Sequence, residues 1–232
     1  MSDVDPTPTD PALASGDGYR FETDGGHPAL DFANTVSRRI DPGDNRERLT
    51  HYGRLVSWGE QAGLVTAKEA GRLREEASGR PRAATAALRR AIALRESIFE
   101  LFAALASGER APAAALDAVN AALPPALASL RVGPERDGFA WRFAHDEADL
   151  APMLAPIVRA AADLLISVDR ARVRECGSDT CFWLFLDHSR NGTRRWCDMK
   201  VCGNRAKARR HYHREKRLVK ATAPPRVSPH RH

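Results

Sequence analysis

Cysteine is missing from the first three quarters of this 232-residue chain; all four lie between Cys176 and Cys202. No run approaches the roughly 18 apolar residues that a membrane span requires, so a transmembrane partner role is excluded. The opening MSDVDPTPTDPALASGDG is acidic and proline-rich and has no apolar segment, so no secretory signal is expected. The expectation is therefore a cytoplasmic protein with no membrane partner. Thiols stay reduced there, and clustered cysteines favour a metal over disulfides. Internal repeats and low-complexity tracts are absent too; the alanine-rich stretches are ordinary helix-former composition. Also missing are a nucleophile–base pair and a phosphate-binding loop. An enzyme using Asp31, His27 or Arg95 lacks that support, and a non-enzyme is expected.

What the chain does have is an uneven charge. The formal net charge is +6. Residues 190–217 carry +9 and residues 218–232 a further +3, which leaves −6 for residues 1–189. An acidic body with a basic C-terminal end is the electrostatic layout of a nucleic-acid binder with a separate regulatory part.

Residues 1–18 read as a disordered tail. Phe21-Glu22-Thr23 reads as a short strand, and Asp24-Gly25-Gly26 as a turn. Pro28 opens a helix through Val36, on which Asp31, Asn34 and Thr35 form a polar group at i, i+3, i+4. With Arg95, an arginine among the apolar positions of the longest helix, these three are the candidate ligand-pocket residues. The competing reading makes Arg95 one half of a structural ion pair and the trio caps or solvent-facing groups. Asp41-Pro42-Gly43-Asp44 is a loop. Helices are expected over 49–63, from Thr66 as N-cap to about Ala77, over 82–107, from Pro112 to Leu123, where Pro124-Pro125 closes it, and over 150–168. Leu130–Phe143 alternates around a turn and reads as a β-hairpin.

The four cysteines form two equal pairs, Cys176-x4-Cys181 and Cys197-x4-Cys202. Zinc takes four ligands tetrahedrally, and each pair needs a tight turn, which Gly177-Ser178-Asp179-Thr180 supplies for the first. Phe182–Asp187 has strand character, Asn191-Gly192 is a hairpin signal, and Arg194-Arg195-Trp196 leads back to Cys197. With four protein ligands no position is left for water or substrate, so one structural zinc is expected rather than a hydrolytic centre. An iron–sulfur cluster and unligated buried thiols are the rival readings. His188, His211 and His213 are rival ligands.

A basic helix of roughly 24 Å follows over 203–218. On its wheel Arg205, Arg209, Arg210, Arg214, Lys216 and Arg217 sweep one arc with Lys207 at its edge. Ala208 and Tyr212 lie on the other face, in reach of Trp183 or Trp196. Together with Arg190, Arg194, Arg195 and Lys200, these cations are the candidate nucleic-acid contacts. DNA is the expected partner. RNA or a ribosomal site is the alternative, and that reading needs Trp183, Phe185, Trp196 and Tyr212 exposed for base stacking. The fold class expected is mainly α with small β-hairpins: a helical domain over 19–170, a treble-clef-like finger (hairpin plus basic helix) over 171–219, and a disordered tail over 220–232.

The finger is recognisable. Trp183-Leu184-Phe185, Ser189-Arg190-Asn191, Arg194-Arg195-Trp196-Cys197 and Cys202-Gly203-Asn204-Arg205 resemble the CGNR zinc-finger family. Gly26-His27-Pro28-Ala29-Leu30-Asp31-Phe32-Ala33-Asn34-Thr35 resembles the ABATE domain that commonly precedes this finger. The resemblance implies a stress-responsive bacterial transcription regulator with a sensing domain and a DNA-binding finger. It also implies metal ligands at Cys176, Cys181, Cys197 and Cys202. The effector of the sensing domain and the formation of a homodimer are left open.

Overall fold

A six-residue helix, α1 (Pro28–Ala33), sits at the centre of the molecule with Ala29, Leu30, Phe32 and Ala33 fully buried. Its N-cap is His27, whose Nδ1 accepts from the Ala29 N–H at 3.3 Å. Burial lowers the pKa of His27, in keeping with a neutral ring that accepts there. The computed structural model describes residues 18–37, 46–144, 146 and 148–222. The expected tail up to residue 17, the loop Asp41–Asp44 and the tail from residue 223 lie outside the described residues.

Against α1 pack α4 (Pro81–Ala106) and α6 (Leu154–Ile166); α2 (Tyr52–Gln61) and α3 (Ala67–Gly79) pack on α4 and on each other, and α5 (Ala113–Ala128) packs on α4 and α6. Thr66 and Glu69 open α3 with a reciprocal capping box. The 26-residue α4 is the spine, touching α1, α2, α3 and α5. Phe32 meets Trp58 with ring centroids 4.8 Å apart. Tyr52 donates to Leu150 O at 2.6 Å, tying α2 to the segment before α6.

Three expectations fail locally. The helix opened by Pro28 stops at Ala33 instead of running through Val36, which begins a strand paired with Glu47; Asn34 and Thr35 between them turn their side chains to hydrogen bonds. Pro124 and Pro125 do not end α5, which runs on to Ala128. Both prolines, Asn120 and Ala121 are exposed or half-exposed, so the carbonyls that lose their helical partners face water. Phe21–Thr23 forms no strand. Instead the Gln61 carboxamide takes both backbone groups of Phe21, accepting from its N–H at 2.9 Å and donating to its carbonyl at 2.6 Å.

Among the described residues there are three two-stranded antiparallel sheets. β1 (Val36–Ser37) pairs with β2 (Arg46–Glu47), and β3 (Leu130–Glu135) with β4 (Gly138–Phe143). β5 (Val173–Glu175) pairs with β6 (Leu184–Leu186) in the register Val173↔Leu186. The last pairing corrects the expected hairpin around Asn191-Gly192. Gly192 does take a positive φ of 61°, but residues 193–196 form no strand. Their backbone is engaged elsewhere: Arg194 N–H donates to the Asp187 carboxylate, and Arg195 O accepts from Gly177 N–H at 2.8 Å. The last described element is α7 (Asn204–Thr222), which reaches into the expected 220–232 tail.

Candidate metal centre

β6 separates two cores. Leu184 and Leu186, with Val173 of β5, belong to the helical core. Trp183 and Phe185 belong to a second core with Cys176, Cys181, Cys197, Cys202 and Trp196. This alternation is the period of two of a strand, here covered on both faces.

Between β5 and β6 the chain makes a knuckle. Cys176 N–H donates to Trp183 O at 2.8 Å and Cys181 N–H to Ser178 O at 3.0 Å, which turns both sulfurs inward. Phe182 adopts a left-handed φ of 62°, a conformation costing a non-glycine residue about 1–2 kcal/mol. From His188 the chain loops out and returns to Cys197. Asp187, fully buried, governs that return: Oδ1 accepts from Ser189 N–H at 2.9 Å and Oδ2 from Arg194 N–H at 3.0 Å. Burial pushes its pKa up, but the hydrogen bonds from Ser189 and Arg194 outweigh this and hold it below the usual carboxylate range. Asp198 then caps a π-helical turn, Met199–Gly203, its carboxylate accepting from the N–H groups of Lys200 and Val201. That turn carries Cys202 and runs into α7. Sequence reasoning missed both aspartates. The signal was present, since Asp two or three residues ahead of free N–H groups is an Asx-turn or N-cap pattern.

The four cysteines are buried, and their sulfurs all lie within 4.8 Å of one another. Cys181 and Cys197 Sγ are 3.6 Å apart, Cys197 and Cys202 Sγ 3.8 Å. These are far outside disulfide bonding. They match the edge of a tetrahedron with bonds of about 2.3 Å, which is about 3.8 Å. Hydrogen bonds from Cys181 and then Cys197 lower the pKa of the Cys176 thiol. The hydrogen bond with Cys176 pushes Cys181 and Cys197 up, and burial raises Cys202. So compact a set gives up all its protons only to a cation, and four soft thiolates in a tetrahedron suit one zinc ion. When bound, zinc would tie the knuckle to the start of α7.

The finger is built into the body. Asn34, one residue past α1, pairs with Leu184 through both ends of its carboxamide: Nδ2 donates to Leu184 O at 2.8 Å and Oδ1 accepts from Leu184 N–H at 2.9 Å. Trp183 Nε1–H donates to Val36 O at 3.0 Å, and Arg48 lies over the Trp183 ring at 5.2 Å. Leu186 N–H donates to Gly25 O at 2.8 Å. Gly25 and Gly26 make this approach feasible. A Cβ on Gly25 would fall 2.9 Å from Asp31 Oδ1, and Gly26 has φ +69°.

The four candidate pocket residues are placed as follows. Asp31 Oδ1 accepts from Gly25 N–H at 2.8 Å. Burial lifts the Asp31 pKa to about 6. Asn34 holds β6. Thr35 donates to Phe32 O and accepts from Arg95. The buried Arg95 forms a fork with Glu47, two bonds of 2.7 Å, and Nε donates to Glu96 at 2.8 Å. Thr35 and Arg95 meet; Asn34 and Asp31 are directed to the finger and the glycine turn.

The candidate basic contacts divide into two groups. Arg194 is absorbed by the finger: Nε donates to Trp196 O at 2.8 Å, another nitrogen reaches Cys197 O, and its guanidinium covers Phe185 at 4.7 Å. Arg205 donates to Thr180 Oγ1 at 3.1 Å and Arg209 pairs with Asp179, so both turn back to the knuckle. Arg190, Arg195, Lys200, Lys207, Arg210, Arg214 and Lys216 are exposed, Arg195 over the Trp196 ring and Lys216 over Tyr212. The side chain of Arg217 lies outside the described residues. Ala208 and Tyr212 do not pack on the finger as expected. Both are exposed, Tyr212 at 59%, because Trp183 is already covered by the body. Among the described elements, the close packing of α7 is with the π-helical turn.

A mainly helical body with a four-cysteine finger folded onto it, ending in a projecting basic helix, defines a zinc-finger protein. The family model ABATE, described as "Putative stress-induced transcription regulator", matches residues 26–168, and the CGNR zinc finger model matches residues 172–215. The chain belongs to the ABATE family and carries a CGNR zinc finger at its C-terminal end. No curated protein matches it. No described helix is long and apolar enough to cross a membrane.

Proposed function

We propose that this protein is a zinc-dependent DNA-binding transcription regulator and not an enzyme. Residues 19–170 form the unit that receives an effector or partner, and residues 171–219 form the finger. One observation carries the reading. The cysteine cluster closes at the foot of a 19-residue helix of about 28 Å, and among the described elements none covers its exposed cations. Lys207, Arg210 and Arg214 recur at i, i+3, i+7 on the side away from Asp179 and form the stripe that meets phosphates. Arg190, Arg195 and Lys200 extend it onto the finger surface.

The RNA reading requires four exposed rings. Trp183 and Phe185 are buried and Trp196 is half-buried, which leaves Tyr212. The burial favours duplex DNA. The test is competition between duplex DNA and structured RNA at matched salt, with the Lys207→Ala/Arg210→Ala/Arg214→Ala variant alongside. DNA should win, and the triple variant should lose affinity at least tenfold. RNA outcompeting DNA, or a triple variant that binds as before, defeats the proposal.

A further inference from the structure

The β3–β4 hairpin is the one described element whose apolar face is left open. Its register puts Leu130↔Phe143, Val132↔Trp141 and Pro134↔Phe139 opposite each other, so these six side chains share one face. Val132 is 62% exposed, Phe139 80% and Trp141 58%. The hairpin packs mainly on itself, with Arg159 of α6 over the Trp141 ring at 5.1 Å. An exposed aromatic strand with an unpaired edge is an association hazard unless another strand pairs with it.

The two edges of the hairpin differ. Ala144 N–H donates to Ser129 O at 2.8 Å. Hydrogen-bonded pairs alternate from there, so the N–H and C=O of Phe139, Trp141 and Phe143 point outward from β4. On β3 the outward positions are Leu130, Val132 and Pro134, and Pro134 has no N–H to offer. One edge is blocked; the other is open and aromatic.

We propose that β4 is a homodimerisation edge and that its occupant is β4 of a second copy of this chain, antiparallel about a two-fold axis at Trp141. That register sets Trp141 against its own copy and Phe139 against Phe143, and it continues the apolar face across four strands. It also carries the tip residue Arg136 toward the acidic Asp146 beyond the base of the partner strand. Pairing along β4 withdraws the outward backbone of Phe139, Trp141 and Phe143 and the adjoining flanks of their side chains, a small contact of the kind that transient complexes make. A two-fold contact is isologous, so a single self-complementary strand suffices to build it.

The test uses the full zinc-loaded chain without nucleic acid. Sedimentation equilibrium should give a dimer at micromolar concentration, and Phe139→Lys/Trp141→Lys should weaken it at least tenfold with the circular dichroism unchanged. Amide exchange separates this edge from any other interface. The amides of Phe139, Trp141 and Phe143 should become protected as concentration rises, while those of Ala140 and Arg142, bonded inside the hairpin, stay protected throughout. A wild-type monomer, a dimer that survives both lysines, or outward amides that exchange freely in the dimer would overturn the proposal. So would a monomer that binds neutral phosphatidylcholine vesicles through Phe139 and Trp141, which would assign the patch to a bilayer surface.

Discussion

The carboxamide of Asn34 pairs with the backbone of Leu184 as a neighbouring strand would, one bond of 2.8 Å and one of 2.9 Å, both buried. It joins the end of α1, the innermost helix, to β6, the strand between the helical core and the cysteine core. A change in α1 therefore bears directly on the strand that holds the metal knuckle.

Asn34→Ala would leave the N–H and C=O of Leu184 buried without partners. At about 1–3 kcal/mol for each orphaned group, denaturant unfolding should show a loss of about 2–4 kcal/mol. A loss below about 0.5 kcal/mol would mean that this clamp does not hold the finger to the body.

Arg95→Met should destabilise the protein by about 1–3 kcal/mol, because it takes the guanidinium fork away from the partly exposed Glu47. Adding Glu47→Gln should recover part of that, since the group stranded by the first change is removed. Thermal melting of the single and double variants checks this. A single variant that melts like wild type would return Arg95 to the role of a ligand group.

Asp31 is an acid whose pKa burial raises from 3.8 to about 6. The folded protein therefore holds its proton more tightly than the unfolded chain. The contribution is favourable below about pH 4 and fades as pH rises through about 6, by at most about 3 kcal/mol. Asp31→Asn keeps an acceptor for the Gly25 N–H and removes the titration. The variant should gain stability over wild type progressively from about pH 4 to about pH 6.5 and level off above that. The difference between the two proteins, in which the metal's own pH dependence cancels, is the quantity to measure. A difference that stays flat contradicts the buried, charged Asp31.

Metal removal should divide the finger along β6. Structural zinc in small fingers is worth roughly 10–16 kcal/mol, so chelation or Cys197→Ser should release the knuckle and the start of α7. Leu184 and Leu186, packed in the helical core, should stay. In amide exchange Gly177, Cys202 and Gly203 should lose protection while Leu184 and Leu186 keep theirs. Uniform loss through β6 would make the metal a support of the whole body.

The parts legible in the sequence were those with local signals. The capping box of Thr66 and Glu69, the long periodicity of α4, the turn between β3 and β4 and the paired cysteine spacing all act within a few residues. The partner of β6 was hidden because Arg174 and Glu175 look like linker, while Asn191-Gly192 offers a strong local hairpin signal that long-range pairing overrides. Asn34 and Gln61 each replace a strand with one side chain, and no periodicity announces that. Arg95 stood out among apolar neighbours, but its partner Glu47 lies far away in the chain. Arg205 and Arg209 were drawn from the outward arc by Asp179 and Thr180, a contact visible only once the knuckle is folded.

The most direct measurement is equilibrium binding of duplex DNA across a salt series, with the zinc-loaded protein and the chelator-stripped protein in parallel. If about six phosphates are neutralised, log K of the loaded protein should fall against log salt with a slope near −5, and the stripped protein should bind at least tenfold more weakly. Equal affinity with and without zinc, or affinity indifferent to salt, would contradict a metal-oriented basic helix that grips DNA.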